Sequence, residues 1–313
     1  MTKKTLRGPR GFALSAIGVT MMFGASMAAH ADNDNPCTIT NWTGQVDPNN
    51  ALLASNPAAA IPNPRYAGPC SLRVDLTGDF AYLVDESPLE EPNYNMRFYF
   101  NPNDNASAGP MIIFAASDDE GEDVLQLWYN VGGVDSGGPI NAPNHATLVV
   151  VTDDGAEIIN AGDIGGPATG WNSFEIVWES AADATVALRV NAEDDLTLDG
   201  VDTSSIRISE ALLGLAGPDE VPTSDNPFFF DDFDSRRNTR PGRLCRGLTD
   251  QSRDELLLED AQTIFDEVSA LEDFDVLAPG QPDFNEDGVV DLADAQAVFN
   301  RVSEFLGGCE NNR

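Results

Sequence analysis

Residues 95–100 read Asn-Met-Arg-Phe-Tyr-Phe. Met96, Phe98 and Phe100 alternate with Asn95, Arg97 and Tyr99, the period of two that gives a β-strand one apolar face. Ser-Phe-Glu-Ile-Val-Trp-Glu-Ser at 173–180 repeats the pattern through Phe174, Ile176 and Trp178. Thr-Val-Ala-Leu-Arg-Val-Asn at 185–191 repeats it through Val186, Leu188 and Val190. A strand patterned in this way must bury its apolar side against another layer.

Further short apolar or alternating runs surround these three. They are SLRVDL (71–76), FAYLV (80–84), MIIFAAS (111–117), VLQLWYNV (124–131), ATLVVVT (146–152), SIRIS (205–209) and FFFDDF (228–233). Turn residues separate them, as in Asn101-Pro102-Asn103-Asp104 and Gly132-Gly133. Strands at this spacing predict a two-sheet antiparallel sandwich, and about 200 residues is ample for one core. The order of features is YNMRFYFNPN, LQLWYN, WNSFEIVWES, VALRVN, then a closing FFFDDFDSRR. It resembles the laminin-G-like and concanavalin-A-like jelly rolls over most of residues 65–237. That resemblance implies a mainly β domain over residues 69–240, with loops that bind glycans or proteins. Some relatives are glycan hydrolases or lyases.

The C-terminus changes character. Residues 283–294 read Asp-Phe-Asn-Glu-Asp-Gly-Val-Val-Asp-Leu-Ala-Asp. Asp283, Asn285, Asp287, Asp291 and Asp294 stand at loop positions 1, 3, 5, 9 and 12, with the carbonyl of Val289 at 7 and Gly288 at the turn. A hard cation takes six to eight oxygens, and this is the spacing of a helix–loop–helix calcium loop. We take Ca2+ as its ligand, held by those five side chains and Val289. Ala295, Val298, Phe299, Val302 and Phe305 then recur at helical spacing and predict an amphipathic helix with one buried face. Thirty-four positions upstream, 260–268 (DAQTIFDEV) repeats 294–302 (DAQAVFNRV). The tandem unit, Cys245 to Cys309, resembles a dockerin, the calcium-dependent docking module of secreted bacterial proteins. Its first loop departs from that pattern. Thr249, Gln251 and Arg253 occupy the ligand positions and Asp254 replaces the glycine, so one calcium is expected, not two. Leu292-Ala293 and Leu258-Glu259 stand where dockerins contact a cohesin through small hydroxylic residues, which puts a cohesin-like partner in doubt. The module is expected over 245–313, with an EF-hand-type helical fold.

Lys3, Lys4, Arg7 and Arg10 precede an apolar stretch ending at Ala29-His30-Ala31, the pattern of a signal peptide over residues 1–31. Residues 32–68, rich in Asn, Pro and Ala, read as a lead-in segment. Removing the leader takes four of 17 basic residues and none of the 52 acidic ones, leaving a net charge of −39. Such a charge excludes nucleic acid and anionic membranes as partners. Four cysteines, Cys37, Cys70, Cys245 and Cys309, allow three pairings. The two ends of the dockerin-like repeat should lie close together, which favours Cys245–Cys309 and leaves Cys37–Cys70. A secreted, cell-surface or periplasmic location follows.

Catalytic equipment is sparse. His145 alone survives leader removal, so a Ser-His-Asp or Cys-His arrangement is not expected. Glycoside hydrolysis needs two carboxylates on one face. The nearest strand, Glu175-Ile176-Val177-Trp178-Glu179, carries Val177 where laminarinase-type jelly rolls place an Asp. Asp118 to Asp123 read as a solvated acidic face. Along 231–234, alternation places Asp232 and Asp234 on one side and Asp231 on the other. Trp178 reads as core and Trp128 as the surface candidate for stacking on a sugar. The expectation is a non-enzymatic, secreted, calcium-binding protein whose sandwich binds a glycan or a cell-surface protein. The alternatives are a polysaccharide-active hydrolase or lyase and a structural or adhesion protein.

Overall fold

The computed structural model describes residues 37–40, 42–54, 66, 70–103, 105, 109–132, 140–164, 170–191, 193–217, 223–242, 244, 247, 256–270, 284 and 291–304. Residues 1–31, expected to be a leader, lie outside them. The strands are β1 (Gly44–Val46), β2 (Leu52–Ala54), β3 (Leu72–Val74), β4 (Ala81–Asp85), β5 (Asn93–Asn101), β6 (Met111–Ser117) and β7 (Asp123–Gly132). They continue as β8 (Ile140–Thr152), β9 (Gly155–Asp163), β10 (Asn172–Glu179), β11 (Ala184–Val190), β12 (Leu196–Val201), β13 (Glu210–Gly217) and β14 (Phe228–Arg236). Two helices follow, α1 (Leu258–Ala270) and α2 (Leu292–Ser303).

The strands form two seven-stranded antiparallel sheets, ordered β1-β4-β13-β6-β7-β8-β9 and β12-β11-β10-β5-β14-β3-β2. Their facing sides make one core, as the alternation predicts. Met96, Phe98 and Phe100 on β5, Phe174, Ile176 and Trp178 on β10, and Phe228 and Phe230 on β14 are fully buried. Phe100 sits at the centre, with ring centroids of Tyr129, Phe228 and Phe230 at 5.0, 5.1 and 5.2 Å. These tilted and edge-on contacts suit the ring quadrupoles.

Part of the lead-in belongs to the sandwich. β1 pairs with β4 and β2 with β3, one on each sheet. The Cys37–Cys70 disulfide is formed and closes the chain around them. Residues 205–209 form no strand; Ile208 makes only an isolated bridge to Glu91. The neighbouring β13 (EALLGLAG), which has no β signature of its own, lies instead between β4 and β6. Its Ala and Leu residues favour helix locally, and pairing on both sides overrides that preference.

Gly214 shows how close that pairing is. Its φ is +130°, and a Cβ there would stand 2.6 Å from the Ala81 carbonyl oxygen and 2.9 Å from the Tyr82 Cα. Gly214→Ala is therefore expected to cost about 3 kcal/mol, combining backbone strain with overpacking. Urea denaturation checks this; an unchanged midpoint would mean that β13 and β4 are not so tightly apposed.

α1 and α2 pack together through Leu256, Ala261, Ile264, Ala295 and Val298, with Val268, Phe284 and Val302 at the margin. The predicted inward stripe is corrected at Phe299, which is 47% exposed, as is its repeat counterpart Phe265. Val298 takes the inward position, and each next residue is turned about 100° away around the helix. Phe305 lies outside the described residues.

Candidate functional site

The second sheet has an outer face that the alternation assigns to solvent. Asn95, Arg97 and Tyr99 of β5 and Ser173 and Glu175 of β10 point there, yet all are buried. Arg97 is 4% exposed and Glu175 is 6% exposed. The cover is the chain that follows β14, together with Tyr66. Arg97 Nη1 donates to the Gly242 carbonyl at 2.7 Å, and the Gly242 N–H donates to Glu175 Oε2 at 2.8 Å. The Leu244 N–H donates to the Tyr99 hydroxyl at 2.7 Å, while the Tyr66 hydroxyl donates to the Leu244 carbonyl at 3.2 Å. Tyr66 stacks on Tyr99 with centroids 3.5 Å apart. Arg240 pairs with Asp195 at 2.8 Å and reaches Glu175 at 3.5 Å; Arg189 also pairs with Asp195 at 2.8 Å. Asp195 is held below the usual carboxylate range, chiefly by its hydrogen bond from Arg240.

These contacts bear on catalysis. Glu175 is engaged by Gly242, Arg240 and Arg189, and Glu179 Oε1 accepts from the Thr185 N–H. His145 Nδ1 lies 2.9 Å from the Pro143 carbonyl. Among the described residues no cluster of three His, Cys, Asp or Glu side chains is placed to hold a metal.

The acids of β14 correct the predicted phase. Asp231 pairs with Tyr99 and Asp234 with Arg97, so both share the outer side; a β-bulge between them adds one residue. Asp232 takes a left-handed backbone, φ +47°, within that bulge. Phe233 turns inward against Trp42, ring centroids 5.0 Å apart. A cavity of about 180 Å3 opens here, lined by Trp42, Leu72, Phe233, Asp231 and Asp232, beside Cys70. Asp231 is engaged by the Tyr66 and Asp232 N–H groups. Asp232 Oδ2 is enclosed without a hydrogen-bond partner.

Trp178 is core, as expected. Trp128 is half-buried, its Nε1 donating to Gln126 Oε1. In the C-terminal helix pair, Asp291 caps α2: its side chain accepts from the Ala293 N–H, and the Asp294 carboxylate accepts from the Asp291 N–H at 2.7 Å. Asp260 does the same for Leu257 on α1, also at 2.7 Å. Asp260 and Asp294 are both fully buried. As hard oxygen donors at the helix start, Asp291 and Asp294 suit a calcium loop. Asp260 has the same cap in a loop without the ligand pattern, so capping alone accounts for that geometry. Asp283, Asn285, Asp287, Val289, and Cys245 and Cys309, expected to pair, lie outside the described residues.

No protein-family model matches the sequence, and neither does any curated protein. Among solved structures, the botulinum neurotoxin serotype D/C VPI 5993 binding domain superposes with a TM-score of 0.40 at 12% identity, over 59% of this chain and 43% of that one. The serotype D binding domain gives 0.41 at 9% identity, over 59% and 43%. Alginate lyase AlyC3 in complex with dimannuronate gives 0.38 at 8% identity, over 55% and 76%. The chain thus spans less than half the length of the toxin structures, and likeness at this level carries no functional argument.

Burial pushes the Asp232 carboxyl up to about 6, with Asp234 adding to the rise and Arg97 opposing it. A raised folded-state value means that protonation favours the fold. Stability is therefore gained as pH falls through about 6 toward the unfolded value near 4. The melting temperature of the wild type relative to Asp232→Asn should rise between pH 7.5 and 5; parallel curves would remove Asp232 as the source.

Proposed function

We propose that the protein is a secreted, calcium-stabilised binding protein without enzymatic activity. Its sandwich presents the binding loops for a glycan or cell-surface protein, and its C-terminal helix pair is a dockerin-like module with one working calcium loop. The observation that carries the reading is the 283–294 loop, with oxygen-bearing residues at positions 1, 3, 5, 9 and 12 around Gly288. The matched capping of α1 and α2, Leu257–Asp260 and Asp291–Asp294, supports a tandem origin for the two halves. The Cys37–Cys70 disulfide supports an oxidising compartment, where millimolar calcium suffices to fill an extracellular-type loop. The commitment of Glu175 to arginines and to the Gly242 N–H supports a binding role over hydrolysis.

Calcium titration by calorimetry on the full chain should give one dominant site, lost in both Asp283→Ala and Asp294→Ala. Two equal sites would mean that the 249–260 loop also binds, and no heat at millimolar calcium would reject the module's role. A glycan array probed in calcium tests the sandwich; the absence of any bound glycan would leave a protein ligand as its partner.

A further inference from the structure

Residues 236–246 hold Arg236, Arg237, Arg240, Arg243 and Arg246, five of the 13 arginines that follow residue 31, in a chain whose net charge is −35. Within this basic run, the segment around Gly242 crosses the outer face of the second sheet without joining its ladder. The body holds it through main-chain groups on either side of the left-handed Gly242, φ +71°. Gly242 has its N–H on Glu175 and its carbonyl on Arg97. Leu244 has its N–H on Tyr99 and its carbonyl on Tyr66. Both main-chain groups of two alternate residues are thus bound by side chains, while the Arg240 guanidinium is bound by Asp195 and Glu175. Recognition of main chain plus one anchoring side chain gives register and selectivity together. Beneath the segment Arg97, 4% exposed, keeps an Nε without a partner.

None of these contacts requires the segment to belong to the same molecule. We propose that this face is a peptide-docking surface, that the arginine-bearing segment 236–246 is its ligand, and that a second copy of the chain can supply it. Charge selects that partner. Two copies so acidic repel one another over most of their surfaces, and the 236–246 run is the cationic stretch that each can offer to the Glu175–Asp195 pair of the other. An exchange of this kind reuses contacts already formed and closes a twofold dimer. The chain's own segment competes through its high effective concentration, which the exchange must overcome.

The test uses the full chain and a labelled peptide of residues 235–246 with Ser at position 245, read by fluorescence anisotropy. Arg240→Ala weakens the chain's own segment, so it should bind the peptide at least about fivefold more tightly than wild type does. Adding Glu175→Gln should remove about tenfold of that affinity, and a scrambled peptide of equal charge should bind as weakly. Equal binding to wild type and Arg240→Ala, or equal binding of the scrambled peptide, overturns the proposal. For the unaltered chain, amide exchange by NMR on 15N-labelled protein provides a second reading. Excess unlabelled peptide should speed exchange at Gly242 and Leu244 while the β5 and β10 amides stay protected; unchanged exchange at those two positions also overturns it.

Discussion

Phe98 and Phe100 lie where the two sheets meet, and the fold turns on what surrounds them. Each sheet has one apolar face and can remove it from water only by packing against the other's. Rings from β10, β14, β6 and β7 close around this pair. Fully burying side chains of this size contributes about 1.5–3 kcal/mol each. The disulfide, the edge strands β1 and β2 and the turns then secure a packing whose direction the alternation had already set.

The same strands bury their other side as well, for a different reason. A sheet face that carries Arg97 and Glu175 would ordinarily remain wet, because an unpaired charge is costly to enclose. Here the enclosure comes with partners: Gly242 supplies a carbonyl to one and an N–H to the other, and Arg240 adds its charge. An ion network with a buried carboxylate at its centre and partly exposed partners around it adds little stability, since desolvation of Glu175 offsets most of the attraction. Its geometric selectivity is the stronger property, because only a segment with donors and acceptors in this order satisfies it.

The bulge in β14 ties the two sides of the sheet together. By inserting one residue it keeps Asp231 and Asp234 on the outer side and still turns Phe233 inward to Trp42. Asp232 is left in a left-handed conformation with one enclosed oxygen, so a single irregularity accounts both for a strained acid and for the wall of the adjoining cavity.

The alternation at 95–100, 173–180 and 185–191 was sufficient to read a mainly β chain with Phe98, Phe174 and Val186 in its core, because period-two burial is a local property. Local pattern also exposed the tandem 260–268 and 294–302 repeat and its helices. It could not reveal β13, whose Ala and Leu residues become a strand only between two neighbours. It misplaced Phe299, since which part of an amphipathic stripe faces inward depends on where the other helix lies. Nor could it locate the Arg97–Glu175 site, although the arginines of 236–246 were a visible sign in so acidic a chain. Arg97 and Gly242, for example, are separated by 145 positions along the chain. Only the pairing of β5 with β10, and the return of the chain over them, brings their charges within reach of one another.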